Sequence, residues 1–70
     1  MIYFKITKTE PTGTKTTIVP KLFLEQATIL ISLLEQRFET DIRISIALGE
    51  TSEEEGNNLI ENTIYSLEKI

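Results

Sequence analysis

Ile42-Arg43-Ile44-Ser45-Ile46-Ala47-Leu48-Gly49 is the stretch on which the fold turns. Its apolar residues fall at every second position. Ile42, Ile44, Ile46 and Leu48 point one way, and Arg43, Ser45 and Ala47 the other. A period of two with β-branched residues predicts a half-buried strand over 42–48, closed by Gly49. Immediately after it, Ser52 and Glu55 have the spacing of a capping box, in which each side chain can satisfy the other's free backbone N–H. Glu53, Glu54 and Glu55 suit the positive end of a helix dipole. A helix is therefore predicted from about 53 to 69, with Leu59, Ile60, Ile64, Leu67 and Ile70 on one face. Gly56 lies within that face. It has two readings: close backbone approach to another element, or a tolerated glycine near a fraying helix start.

Upstream, residues 20–38 carry the strongest helical periodicity. Phe23, Leu24, Ala27, Leu30, Ile31, Leu34 and Phe38 form one broad apolar lobe. Leu22, Ile29 and Leu33 form a second, narrower one, separated from the first by Gln26 and Arg37. Pro20 suits the first turn of such a helix, where its missing N–H costs nothing. Nearer the N-terminus, Ile2, Phe4 and Ile6 alternate with Tyr3, Lys5 and Thr7, which predicts a strand over 2–7. Pro11-Thr12-Gly13 is a turn signal, and the β-branched run over 14–19 predicts a second strand returning as a hairpin.

These elements predict an α+β domain spanning residues 1–70. The expected order is β-β-α-β-α, a two-layer arrangement in which two helices cover one face of a three-stranded, mainly antiparallel sheet. If the third strand docks beside the first, the sheet order is 2-1-3.

Composition removes several functional classes. The chain contains no cysteine and no histidine. It thus lacks the usual soft and imidazole ligands of zinc and the usual proton-transfer group near neutral pH. Its glycines, Gly13, Gly49 and Gly56, are isolated and form no phosphate-binding loop. The run from Glu50 to Asn58 does not fit the register of a calcium loop. Ser66-Leu67-Glu68-Lys69 has the Ser-x-x-Lys spacing, but it stands without companion motifs and is read as a solvated last turn. No catalytic residue, cofactor or metal site is expected. No apolar run approaches membrane-spanning length and no leader pattern opens the chain, so a cytoplasmic protein is expected.

Charge is uneven. The net −4 divides into +3 over residues 1–21 and −7 over residues 22–70. Two kinds of contact surface follow. Glu50, Glu53, Glu54, Glu55 and Glu61 are the groups expected to meet a basic protein partner, which makes a non-catalytic protein-binding module the leading expectation. An exposed sheet face bearing Tyr3, Lys5, Lys15 and Arg43 is the alternative, a weak platform for single-stranded nucleic acid. The narrow seam of Leu22, Ile29 and Leu33 is the candidate interface of a homo-oligomer, most simply a two-fold dimer, and a purely structural oligomer is the third reading. Size and acidity resemble those of small phage-encoded or mobile-element inhibitors, a likeness of class that assigns no residue, and the abundance of isoleucine and threonine is a bias common in proteins of AT-rich genomes, bacteriophages among them.

Overall fold

A computed structural model describes residues 1–70. The elements in chain order are β1 (Phe4–Thr9), β2 (Lys15–Leu22), α1 (Leu24–Ala47), α2 (Glu53–Asn62) and β3 (Ile64–Lys69). The fold is α+β, with one three-stranded sheet in the order β2-β1-β3 and both neighbour pairs antiparallel. The sheet order is the one expected from sequence, but its third strand is built from different residues. The chain order is β-β-α-α-β rather than β-β-α-β-α.

Residues 42–48 are the centre of the difference. Residues 42–47 continue α1 and Leu48 caps it, instead of forming a strand. Phe38, Ile42, Ser45 and Ile46 are spaced 4, 3 and 1 apart, so they share one helical face, and all four are at least half-buried. Nothing between Phe38 and Ile42 breaks a helix: the intervening residues are Glu39, Thr40 and Asp41. Gly49 does act as a terminator, of the helix. It takes φ +77°, its N–H donates to the Ile46 carbonyl at 3.1 Å, and the Glu50 N–H reaches back to the Ser45 carbonyl at 2.9 Å. A left-handed residue just past the last turn is the ordinary glycine stop.

The second correction lies at the other end of the chain. α2 starts as predicted: the Ser52 hydroxyl accepts from the Glu55 N–H at 3.1 Å, although Glu55 makes no return bond. It stops at Asn62, well before residue 69. The Asn62 amide donates to the Asn58 carbonyl at 3.1 Å and to Asn58 Oδ1 at 2.6 Å, which occupies the last turn. Ile64–Lys69 then pairs antiparallel with the whole of β1, Phe4 facing Lys69 and Thr9 facing Ile64.

The third correction concerns Pro20, which belongs to β2 and not to a helix start. β2 is an edge strand, where a missing N–H can face solvent. The register also slips twice there: Phe4 pairs with Leu22, Ile6 with Val19 and Thr7 with Thr17, so β2 holds one extra residue on each side of Val19. The β1–β2 turn falls at Pro11-Thr12-Gly13 as expected, with Gly13 at φ +90°.

Side-chain alternation assigns the two faces of the sheet. Lys8 Nζ lies 4.8 Å from the centre of the Phe38 ring, and Tyr65, its partner across the ladder, meets the same ring edge-on at 5.9 Å. Phe4, Ile6 and Lys8 therefore face α1. Ile6 and Ala27 are fully enclosed between the layers. α2 packs on the C-terminal half of α1 and not broadly over the sheet. An alanine methyl at Gly56 would stand 2.7 Å from Ile46 Cγ1 and 3.2 Å from Ile42 Cγ2, so the glycine permits the two helices to touch. Of its two sequence readings, close approach is the one realised. The molecule is long and thin, 46 × 22 × 14 Å.

Candidate functional site

The strands and the helices carry opposite charge. The strand residues are Lys5, Lys8, Lys15, Lys21 and Lys69 against Glu68, a net +4. The two helices hold Glu25, Glu35, Glu39, Asp41, Glu53, Glu54, Glu55 and Glu61 against Arg37 and Arg43, a net −6. The contrast between chain halves seen in the sequence thus becomes a contrast between layers.

On the acidic side, α2 has no basic residue at all. Glu53, Glu54 and Glu55 occupy its first turn, where the dipole favours them. Glu61 occupies the last turn, where it opposes the dipole. Glu54, Glu55 and Glu61 line one shallow, wholly polar depression with Ser52, Asn57 and Asn58. Glu50 stands in the α1–α2 turn, and neither it nor Glu53 lines the depression. None of the five carboxylates forms an ion pair; the bridges in the protein are Lys5–Glu68, Lys15–Glu68 and Arg37–Asp41.

On the basic side, Lys5 and Lys15 do share the open face of the sheet, because both reach Glu68. The Lys15–Glu68 pair runs from the neighbour of Thr9 to the neighbour of Lys5, and so crosses β1 above Thr7. Thr7 is almost completely enclosed there, and its hydroxyl makes no hydrogen bond. The hydrogen bond from Lys15, with the charges of Lys15 and Lys5, holds the Glu68 carboxyl below the usual carboxylate range. Tyr3 stacks at a tilt on Phe23, with ring centres 5.2 Å apart, and Lys21 Nζ lies 4.1 Å above the Tyr3 ring. Lys21 and Phe23 were not assigned to this face from sequence. Strict alternation along β2 does not lead to them, because Val19 pairs with inward-facing Ile6 and the two bulges on either side of it return Lys21 and Phe23 to the face of Lys15.

Arg43 does not belong to the sheet. It lies on α1 and donates to Asn57 Oδ1 on α2 at 2.9 Å. With residues 42–48 helical, Ser45 and Ala47 leave the sheet face as well. Of the oligomer candidates, Ile29 and Leu33 project from α1 into solvent, 65% and 56% exposed. Leu22 is separated from them: it ends β2, half-buried opposite Phe4. Ile44, 52% exposed, joins the outward side of α1 in its place.

No group of acidic side chains converges as a metal site would require, and no helix is long and apolar enough to cross a membrane. No protein-family model, curated protein or solved structure matches the chain.

Proposed function

We propose that the protein is a non-catalytic binding module that presents the acidic outer face of α2 to a basic patch on a larger protein, as an inhibitor or modulator would. One observation carries this reading: Glu54, Glu55 and Glu61 line one depression on α2, with Glu53 on the same helix and Glu50 in the turn before it, and none of the five is ion-paired. Like charges on one short helix repel each other, and Glu61 adds a cost at the dipole's negative end. Local arrangements that weaken the free molecule are most often retained where something else uses them. Complementary charge would raise the association rate and the selectivity for that partner. The test is affinity capture from the encoding organism's lysate, using the wild-type chain and the Glu54→Gln/Glu61→Gln variant at low and high salt. A basic protein retained by the wild type, lost at high salt and reduced with the variant, supports the module. A folded bait that retains nothing at low salt, or retains the same protein with both baits, refutes it.

A second reading has its own observation. The Tyr3–Phe23 pair with Lys21, beside Lys5 and Lys15, combines two rings and three cations on the open sheet face. Such a surface suits single-stranded nucleic acid. It ranks second because Glu68 already occupies Lys5 and Lys15 and would repel phosphate. Fluorescence anisotropy with a labelled oligonucleotide decides it: binding must appear at low salt, fall steeply as salt rises, and be lost in Tyr3→Ala.

A further inference from the structure

Glu68 is the only acidic residue among the strands, and it stands where it neutralises two of their five lysines. Each of its carboxylate oxygens meets a different cation. Oε2 lies 3.8 Å from Lys5 Nζ, and Oε1 accepts a hydrogen bond from Lys15 Nζ. The two lysines come from neighbouring strands, β1 and β2, and converge on one point above β1. A phosphate group offers the same pair of anionic oxygens, and lysine binds it as a point charge.

The floor under this point is polar. Thr7 is enclosed there with its hydroxyl unpartnered, and Thr17 and Ser66 are its cross-strand neighbours on either side. Three hydroxyls in a row beneath two ammonium groups supply more donors than one carboxylate takes up. As a stabilising device the bridge is weak, because the two lysines are 39% and 52% exposed, and it covers a hydroxyl whose burial costs free energy. Beside it stands the Tyr3–Phe23 stack with Lys21. Tyr3 and Lys5 are two residues apart on β1, hence on one face and about 6.8 Å from each other. A base stacked on the rings would bring a neighbouring phosphate to the lysines.

We infer that Lys5 and Lys15 form a phosphate site for single-stranded nucleic acid, and that Glu68 fills this site in the free chain as an internal competitor. The inference rests on the nucleic-acid reading of the sheet face and adds the residue that limits its affinity. Held in the same molecule, the carboxylate competes at an effective concentration on the order of millimolar. Ionic attraction alone does not displace it; stacking on Tyr3 and Phe23 supplies the remainder. The acidic face of α2 takes no part.

Fluorescence anisotropy with a labelled single-stranded oligonucleotide tests the inference, and circular dichroism checks that each variant is folded. Glu68→Gln should bind about tenfold more tightly than the wild type at low salt. Its log K should also fall more steeply with log salt, by a slope of about 0.7 for the one phosphate gained. Adding Lys15→Gln to Glu68→Gln should remove both gains. Glu39→Gln changes the net charge equally but lies on α1, and it should bind as the wild type does. If the wild type binds through Tyr3 and Glu68→Gln is neither tighter nor steeper, the inference falls while the nucleic-acid reading stands. A gain in Glu39→Gln equal to that in Glu68→Gln would reduce the effect to net charge and overturn the inference too. If neither the wild type nor Glu68→Gln binds, the inference and the reading beneath it fall together.

Discussion

Thr7 shows how closely the centre of this small protein is filled. It occupies the middle of β1, with Thr17 and Ser66 on its flanks and the Lys15–Glu68 pair passing over it. Its hydroxyl is enclosed without a partner. A buried hydroxyl lacking a hydrogen bond costs about 1–3 kcal/mol of desolvation. Thr7→Val keeps the β-branched shape and removes the orphan, so it should stabilise the fold by about 1 kcal/mol, seen as a higher urea midpoint with an unchanged slope. Glu68, above it, governs the acid side. Its carboxyl titrates lower in the folded chain than in the unfolded one. The stability it contributes is therefore present above the unfolded value and disappears as pH falls from 4.5 downward through the folded value. Glu68→Gln should flatten the pH dependence of the melting temperature in that acid window and leave its shape above it unaltered. The effect is small, since both lysine partners are largely solvated.

Elements were legible where local chemistry was unambiguous and were lost where two periods fitted the same residues. The β1–β2 hairpin and the start of α2 follow from Pro11-Thr12-Gly13 and Ser52, residues with one dominant conformational use. Ile42–Leu48 is different. Its isoleucines alternate with period two, but Ile42 and Ile46 also continue the helical face begun by Phe38, and no breaker interrupts 39–41. Continuity of the hydrogen-bonded ladder prevailed over β-branched propensity, which is worth only tenths of a kcal/mol per residue. At 64–69 the reverse occurs. The polar sequence Asn57, Asn58, Asn62, Thr63 weakens a helix, and Ile64-Tyr65 supplies strand formers to complete a sheet that would otherwise have only two strands. Of the site, the acidic group was readable from composition. The Tyr3–Phe23–Lys21 cluster was not, because Pro20 masks the length of β2. The helix–helix contact supplies the prediction at this scale. Gly56→Ala gains roughly 1 kcal/mol in helix propensity but drives a methyl into Ile46, a strain of about 1–3 kcal/mol. A net loss of about 1 kcal/mol is expected. Ile46→Ala, which removes both of the isoleucine atoms that clash, should make the same glycine substitution neutral or stabilising. Additive effects in that double-mutant cycle would show that the helices do not touch there.

The whole molecule is organised by its central strand. β1 is hydrogen-bonded on both sides, to a neighbour a few residues away and to one at the far end of the chain. The Ile70 N–H donates to the Tyr3 carbonyl at 3.0 Å, so the first and last residues of the sheet lie side by side. This arrangement has a kinetic consequence. The hairpin and both helices can form from near neighbours, whereas β3 must close a loop around everything between it and β1, and the entropy of that closure is lost before any contact returns it. Sheet completion is then the late event, with β3 largely unformed at the folding barrier. Leu67→Ala should accordingly accelerate unfolding by nearly the whole of its equilibrium destabilisation and leave the refolding rate almost unchanged. Stopped-flow chevrons for Leu67→Ala and the wild type measure this directly, and a refolding limb slowed in proportion to the lost stability would instead place β3 in the nucleus.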